Sequence, residues 1–342
     1  MQIYLNSFGT YLHVKDAMFE IRVPNERGGT TSHHLAAKKV TAIILTVAGA
    51  LSSDAVRLAL AHNVDLILAD HSGQPLGRFW HAKLGSTTKI RKQQLAASIG
   101  PLGLGYTGSW LTAKIAAQAD FLKDLKKHRK HAHELLDERR SRLLELAASI
   151  ETCVRTATRT DEIADTLRGL EGTAGRLYWQ TLSALTPEPY QFAGRSFRPA
   201  ADPFNAFINY GYGILYARVE KALMTAGLDP YVGFMHRDDY NQKSMVFDFI
   251  EPYRPWVDRV VFRLFSGKQV NTTHYGDLAG GVTLEKPGKE LLISALGEYL
   301  DGDKVRHHQR VRSRANGMLA DAHRFAQELL GKDLQDLEIV EL

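Results

Sequence analysis

The sequence is poor in cysteine and has no long apolar run. Its 342 residues include one cysteine, Cys153, which excludes an internal disulfide and a cysteine-rich metal site. A transmembrane helix needs roughly eighteen or more apolar residues in a row, whereas the longest apolar stretch, 40–50, has the length of a strand. The N-terminus has no basic segment followed by an apolar one, so a secretory signal is not expected. These absences favour a protein of the reducing cytoplasm with no membrane partner.

The composition is that of a globular protein with a slight excess of positive charge. Hydrophobic residues make up 44% and charged residues 24% of the chain, which excludes a disordered or collagen-like chain. Basic residues outnumber acidic ones by 43 to 38, a formal net charge of +5. This excess is a weak indication of polyanion binding. At about 100–200 residues per domain, the length suggests two domains.

The first eighty residues are rich in short β-type runs. Strands are predicted at 11–15, 18–23, 41–47 and 64–69, with turn residues between them. A short helix is predicted within 51–62, with Ser53 or Asp54 as its N-cap. From about Thr87 the apolar spacing becomes helical. Helices are predicted at 111–150, 161–185, 203–226, 244–265, 289–300 and 306–330.

This pattern predicts an α+β protein with a small β-rich N-terminal domain and a larger all-α catalytic domain. The expected boundaries are 1–80 for the β-rich domain, 81–90 for a linker and 91–342 for the α-helical domain.

Glu171 and His236 are two candidate functional residues far apart in the sequence. Glu171 lies between glycines in a helical run, where small residues permit close approach of a ligand or another backbone. The pattern alone favours the other interpretation, a solvated helix carboxylate with the glycines serving close helix packing. His236 follows apolar residues and a turn, and is either a metal ligand or a hydrogen-bonded boundary residue.

Asp248 and Glu251 form a third candidate. Their spacing of three places them on one face of a predicted helix among apolar neighbours. Two carboxylates there repel each other and need a cation or a shared proton. A divalent metal and Arg254 are the two alternatives.

Taken together, Glu171, His236 and Glu251, with Asp248 beside them, make an oxygen and nitrogen ligand set without sulfur. Such a set suits Mg²⁺ or Mn²⁺, with the imidazole favouring Mn²⁺. Carboxylate-held Mg²⁺ or Mn²⁺ recurs where phosphates are attacked.

Basic and histidine residues are clustered. Arg306, Arg310 and Arg314 recur at helical spacing and predict a cationic stripe on the last helix, and Arg259 and Arg263 follow the acidic pair. Such residues suit phosphate contacts. The histidine groups lack nearby carboxylate pairs and are interpreted as surface or phosphate-facing residues: His33–His34, His307–His308 and His128/His131/His133.

Several long segments, in order, resemble the CRISPR-associated "Cas one" family of DNA integrases. They are 169–172 (GLEG), 198–206 (RPAADPFNA), 227–230 (GLDP), 233–236 (GFMH) and 247–255 (FDFIEPYRP), and the likeness extends over essentially the whole chain. The resemblance implies a metal-dependent endonuclease and integrase that inserts short DNA fragments, called spacers, into a CRISPR array. The reaction it implies is transesterification, in which a 3′-hydroxyl attacks a repeat phosphodiester.

The resemblance also implies residue roles and partners. Glu171, His236 and Glu251 are expected as Mg²⁺ or Mn²⁺ ligands, with Asp248 as an auxiliary catalytic carboxylate in the same pocket. Arg176, one turn after Glu171, is a candidate to brace the carboxylate or to contact DNA. The expected partners are duplex DNA with 3′ overhangs, CRISPR repeat DNA, a second copy of the chain through the β-rich domain, and the "Cas two" protein. Two other functions stay open, a non-catalytic DNA-binding scaffold and a branched-DNA repair nuclease.

Overall fold

A computed structural model describes residues 2–25, 28–40, 42–46, 48–62, 64–69, 75–79, 87–236 and 242–331. The chain divides into two compact units, Met1–Gly85 and Ser86–Leu342. The first is rich in strands and the second is mostly helical, which confirms the predicted α+β fold. Most of the predicted linker, 81–86, lies outside the described residues.

Within its described residues, the first unit contains two four-stranded sheets. One has the order β1 (Gln2–Leu5), β5 (Ala42–Leu45), β7 (Asp65–Ala69), β8 (Pro75–Phe79), with its first three strands parallel. Every residue of β5 is buried, as its unbroken β-branched and apolar sequence predicts for a central strand.

The other sheet of the first unit has the order β4, β3, β2, β6. The strands β2 (Tyr11–Lys15), β3 (Met18–Pro24) and β4 (Thr30–Ala36) form an antiparallel meander, and β6 (Ala50–Leu51) pairs in parallel with β2. The strands β2 and β3 were predicted, and β4 was not. The helix α1 (Ser53–Ala61) follows, and its N-cap is Ser52, whose side chain accepts from the N–H of Ala55. The predicted cap at Ser53 or Asp54 is therefore wrong by one or two residues.

The second unit is built from nine helices within the described residues. They are α2 (Thr87–Ser98), α3 (Pro101–Lys126), α4 (His133–Thr156), α5 (Thr160–Leu185), α6 (Pro203–Thr225), α7 (Ser244–Phe249), α8 (Arg254–Ser266), α9 (Lys286–Gly297) and α10 (Arg314–Leu329). Their apolar faces meet in one core that includes Phe207, Val257 and Phe325. None of the described helices is both long enough and apolar enough to cross a membrane.

Two predicted helices are each broken into two. The predicted helix 111–150 ends at Lys126 and restarts at His133, because the chain reverses so that α4 can pack on α3. The packing is close at Gly108, where an added Cβ would lie 2.6 Å from a methyl group of Val154. The predicted helix 244–265 is interrupted by a 3₁₀ turn at Glu251–Tyr253, since Pro252 cannot donate an N–H to a continuous helix.

The predicted helix 306–330 is wrong in its first two turns. Residues Lys304–His307 (β11) and Arg310–Ser313 (β12) form an antiparallel hairpin, and the helix begins only at Arg314. A second hairpin joins β9 (Tyr275–Leu278) to β10 (Gly281–Leu284). The expected all-α domain is thus mostly helical and carries two short hairpins. The alternation of Val305, Val311 and polar residues is the strand signal that the arginine spacing masked.

A candidate metal and nucleic-acid site in the helical unit

Three predicted ligands line one cavity of about 490 Å³ in the second unit. Glu171 comes from α5, His236 from the loop before α7, and Glu251 from the 3₁₀ turn after α7. The structure thus brings together side chains separated by up to eighty residues of sequence.

Lys114 of α3 lies between two of these side chains. Its Nζ lies 2.6 Å from Oε2 of Glu251 and within hydrogen-bond distance of Oε1 of Glu171. Burial lowers the pKa of Lys114, but Glu251 and Glu171 outweigh that effect and raise the pKa above its usual value. The ammonium therefore stays charged, and two carboxylates already share one cation at this point.

Glu251 is held in its ionised form by two cations. Its Oε1 accepts a 2.7 Å hydrogen bond from Nε of Arg254. Burial alone would raise the pKa of Glu251, yet Arg254 and Lys114 lower it to about 2. Of the two alternatives for balancing this carboxylate, Arg254 is confirmed as a contact. Arg254 also donates to the Tyr216 hydroxyl at 2.8 Å and lies over the Tyr212 ring.

Asp248 orients His236 instead of facing the cavity. Its Oδ1 lies 2.5 Å from Nδ1 of His236, and its carboxylate accepts backbone N–H groups from Phe234, Met235 and His236. Asp248 lies behind His236 and not on the cavity wall, and its role as an auxiliary catalytic carboxylate stays a prediction. Because Nδ1 is engaged, Nε2 is the ring nitrogen left to face a ligand, and carboxylates recur in this position behind metal-binding imidazoles.

The loop that carries His236 is fixed at both ends. Gly233 allows it to lie against α7, since a Cβ there would lie 2.5 Å from Cβ of Ser244 and 3.0 Å from Oδ2 of Asp248. At its start, the buried amide of Gln94 bonds the N–H of Asp229 and the carbonyls of Asp229 and Val232, each at 2.9 Å. Two of the resemblance motifs, 227–230 and 233–236, lie in this loop and therefore support His236. Residues 237–241 lie outside the described residues.

The 198–206 segment holds a further cation at the cavity. Asp202 caps α6 by accepting the N–H of Asn205 at 2.7 Å. Asn205 and Asn209 in turn accept hydrogen bonds from the guanidinium of Arg195, which lines the cavity and stacks over Trp179. Burial lowers the pKa of Arg195. The most recognisable motif of the sequence thus positions a positive charge.

The predicted DNA-contact residues lie away from this cavity. Arg176 is exposed on α5 and is not part of the cavity wall. Arg259 pairs with Asp124 at 2.8 Å and packs on Phe121. Arg263 lines a separate cavity of about 370 Å³ together with Lys127, His128 and Arg129.

The predicted stripe of three arginines does not form. Arg306 lies opposite Val311 in the β11–β12 hairpin, whereas Arg310 lies opposite His307, so the two side chains leave opposite faces of the ribbon. Arg314 begins α10 and donates to the Tyr299 carbonyl at 2.8 Å. The three arginine side chains therefore do not share a face, because Arg306 and Arg310 lie on strands and not on a helix.

Sequence reasoning missed Lys114 and Arg195. A signal for Lys114 was present, because it lies three residues after Leu111 and four before Gln118, on the buried side of α3. A lysine at such a position needs an anionic partner. Arg195 lies in irregular chain before α6 and carries no comparable pattern. Two tyrosines of the neighbouring helices differ in their access to the cavity. Tyr178 of α5 is fully buried, whereas Tyr212 of α6 lines the cavity.

Comparison with known proteins gives concordant results. The family model for CRISPR associated protein Cas1 matches residues 3–298. A protein of Archaeoglobus fulgidus named CRISPR-associated endonuclease Cas1 1 is 33% identical over 313 residues, 88% of this chain and 88% of that protein.

Two solved structures share the fold. A casposase bound to integration product has a TM-score of 0.80 at 22% identity, covering 97% of this chain and 91% of that chain. A chain of a Cas6-RT-Cas1–Cas2 complex has a TM-score of 0.74 at 21% identity, covering 97% of this chain and 35% of that chain.

Proposed function

Because the chain belongs to the CRISPR-associated protein Cas1 family, we propose that it is a metal-dependent DNA endonuclease and integrase that inserts short DNA fragments into a CRISPR array. The observation that carries the proposal is the convergence of Glu171, His236 and Glu251 on one cavity. Four cationic side chains line the same cavity: Lys114, Arg168, Arg195 and Arg254. Carboxylates beside cations suit a reaction in which a phosphate must be held near a metal ion.

The donor set of this cavity fits a hard divalent cation. Two carboxylates and an imidazole match the ligands that Mn²⁺ and Mg²⁺ take, and Glu171 and Glu251 already contact one cation, the Lys114 ammonium. Glu171, His236 and Glu251 would hold the ion, which would compete with that ammonium for the same oxygens. When bound, it would supply Lewis-acid polarisation of the attacked phosphate and stabilise charge on the leaving oxygen.

The chain's own residues would hold and align the DNA. Arg195 and Arg254 are rigidly positioned, one by two asparagines and one by Glu251 and Tyr216, and would bind the scissile phosphate. Asp248 would keep the imidazole of His236 in one orientation and tautomer. A 3′-hydroxyl would attack the phosphodiester and a 3′-oxygen would leave, so one P–O bond replaces another and no external energy source is needed. Alignment and charge stabilisation are then the main contributions of the protein.

The proposed substrates are duplex DNA with 3′ overhangs and the repeat DNA of the array, in the cytoplasm. A second copy of this chain, joined through the β-rich unit, and the Cas2 protein are the proposed partners. The likeness to a chain of a Cas6-RT-Cas1–Cas2 complex supports the choice of Cas2.

A strand-transfer assay tests the function. Glu171→Ala, His236→Ala and Glu251→Ala are each expected to abolish joining of a 3′-overhang duplex to a repeat-bearing plasmid, with the fold retained by circular dichroism. Exposed Glu134→Ala serves as the control that keeps activity. Joining at the wild-type rate by two of the three variants would refute the site.

Metal dependence and product type separate the alternatives. Activity is expected with added Mn²⁺ or Mg²⁺ and none with EDTA, whereas a DNA-binding scaffold would function equally in both. An integrase yields joined product and a repair nuclease only cut product, so the ratio of the two, with and without Cas2, distinguishes them.

A further inference from the structure

A second group of potential ligands lies outside the cavity that holds Glu171. His307 and His308, at the end of β11, meet Asp321 of α10: the two Nε2 atoms lie 2.8 and 2.9 Å from Oδ1 of Asp321. All three ligand atoms lie within 4.8 Å of one another, and among the described residues this is the only group of three or more such side chains to do so. The sequence analysis found no carboxylate pair near these histidines and interpreted them as surface or phosphate-facing residues. His308 is exposed, and the single carboxylate that both histidines contact comes from Asp321 of the next helix.

The backbone brings both imidazoles to one side. Successive residues of a strand point to opposite faces, so adjacent histidines would normally diverge. His308 instead takes a φ of 51° in the turn between β11 and β12. A two-residue hairpin turn requires positive φ and usually takes Gly, Asn or Asp there. Here the position carries a histidine whose ring reaches the carboxylate that His307 also contacts.

Neighbouring residues fix the positions of Asp321 and His307. Oδ2 of Asp321 accepts a 2.9 Å hydrogen bond from the Tyr253 hydroxyl, which orients the carboxylate and leaves Oδ1 for the histidines. The ring of His307 lies against Gly317, where a Cβ would lie 3.0 Å from its Cγ.

We propose that His307, His308 and Asp321 bind a divalent transition-metal ion of the zinc class, with one coordination position open to the adjacent cavity. Zinc bonds of about 2.0–2.1 Å in a tetrahedral arrangement place neighbouring ligand atoms about 3.3 Å apart. The observed separations of 2.8 and 2.9 Å need to widen only slightly. Two imidazoles and one carboxylate favour zinc over magnesium, which prefers oxygen ligands.

The same three residues line a cavity of about 680 Å³. Nearly half of its other lining residues are aromatic, among them Tyr106, Trp110, Trp256 and Phe325. With three protein ligands on one side, a bound ion would present its remaining position to this cavity. His308 has a side-chain exposure of 51%, so an ion has a path of entry. The site also ties the β11–β12 hairpin to α10, and occupancy is therefore expected to stabilise the fold.

Zinc binding by the full-length chain tests the proposal. Zn²⁺ alone is titrated into the wild type, His308→Asn, Asp321→Asn and, as a control, exposed His131→Asn. The wild type and His131→Asn are expected to bind one more Zn²⁺ per chain than the other two variants, or to bind it at least about 100-fold more tightly, since removing a ligand costs more than the 10–100-fold of an outer partner. Zinc bound by the carboxylates of the Glu171 cavity is the same in all four proteins and so does not affect this comparison.

Two further readouts separate a metal site from a hydrogen-bonded cluster. Co²⁺ substituted for zinc is expected to give the visible absorption of a four-coordinate site in the wild type and to lose it in His308→Asn. Zn²⁺ is expected to raise the unfolding midpoint of the wild type more than that of His308→Asn, because binding to the folded state alone stabilises it. His308→Asn should fold even if Asp321→Asn does not, since asparagine tolerates positive φ. Equal zinc stoichiometry and affinity in the wild type and His308→Asn would overturn the proposal, whatever the DNA-joining activity.

Discussion

Lys114 is the residue whose charge matters most to the candidate cavity, because its ammonium contacts both Glu171 and Glu251. The sequence analysis predicted that the pair Asp248 and Glu251 needs a cation, whereas the structure shows Glu251 sharing one with Glu171. Nothing in the sequence around either glutamate showed that this cation is a lysine of α3, fifty-seven residues before Glu171. The roles of Glu171, His236 and Glu251 as metal ligands stay predictions, and Lys114 offers a way to examine them through stability.

Replacing Lys114 by methionine is expected to destabilise the protein in EDTA by about 2–3 kcal/mol. Removing one partner of a buried ion pair costs roughly 3–5 kcal/mol, and the loss here is smaller because Arg254 still contacts Glu251. Added Mn²⁺ is expected to recover much of this loss, since the ion would take the place of the ammonium. Urea unfolding with EDTA and with Mn²⁺ measures both effects.

The control is the same substitution at Lys123, which is exposed on the same helix. Lys123→Met is expected to leave stability unchanged and to show only the wild-type response to Mn²⁺. A Lys114→Met protein that is destabilised but insensitive to Mn²⁺ would argue against an ion at these carboxylates.

Asp258 predicts a pH dependence of stability. Burial raises the pKa of this carboxyl from 3.8 to about 6, although the hydrogen bond from the Tyr212 hydroxyl acts in the opposite direction. The folded state thus holds the proton more tightly than the unfolded state, and the stability contributed by the group rises as pH falls from about 6 to about 4. Relative to Asp258→Asn, the wild type should gain up to about 1.4 kcal/mol per pH unit over that window.

Urea unfolding of both proteins at about pH 7 and about pH 5 measures this difference. Exposed Asp120→Asn on α3 should show no such change relative to the wild type. A difference between wild type and Asp258→Asn that is independent of pH would mean that Asp258 is ionised throughout.

At the scale of elements, the interiors of helices and strands were predictable and several ends were not. The periods of α5 and α6 are clear in the sequence, and their predicted limits agree with the structure within one residue. The break between α7 and α8 depends on Pro252 within a strongly helical pattern, and the reversal between α3 and α4 depends on packing between distant segments. The predicted start of the last helix was wrong for another reason. The arginines at positions 306, 310 and 314 fit a helical period by coincidence, whereas β11 and β12 pair as a hairpin.

The hairpin changes what Arg314 is expected to do. As part of a cationic stripe, Arg314 would contact phosphate. Instead it donates a hydrogen bond to the Tyr299 carbonyl, and its guanidinium lies 3.7 Å from the centre of the Tyr299 ring. Arg314→Met is therefore expected to lower the free energy of unfolding by about 1–2 kcal/mol, with little change in the salt dependence of DNA binding. The matched variant Arg306→Met, exposed on β11, should leave stability unchanged. Urea unfolding compares the two, and an equal stability of both variants would contradict a bracing role for Arg314.

At the scale of the whole molecule, the fold class and the division into a β-rich and a mostly helical unit were readable from composition and period. The convergence of the candidate ligands was not, because it depends on how α3, α5 and the turn after α7 pack. The resemblance motifs identified these residues without the packing: 169–172 and 247–255 contain Glu171 and Glu251, 198–206 holds Arg195, and the motifs within 227–236 hold His236.

The net charge of +5 is too small to identify a DNA-binding surface, and its distribution is more informative. Lys127, His128, Arg129 and Arg263 lie around a cavity of about 370 Å³ where the end of α3 meets α8.

If this surface, formed by Lys127, His128, Arg129 and Arg263, binds phosphate, each contact releases about one counterion. The slope of log affinity against log salt concentration then reports the number of contacts. Arg263→Gln is expected to weaken binding to any duplex sequence and to reduce the magnitude of that slope by about 1. Arg142→Gln, exposed on α4 and paired with Glu145, should leave the slope unaltered. Fluorescence anisotropy of a labelled duplex at several salt concentrations gives both slopes, and equal values for the two variants would show that the phosphates pass elsewhere on the molecule.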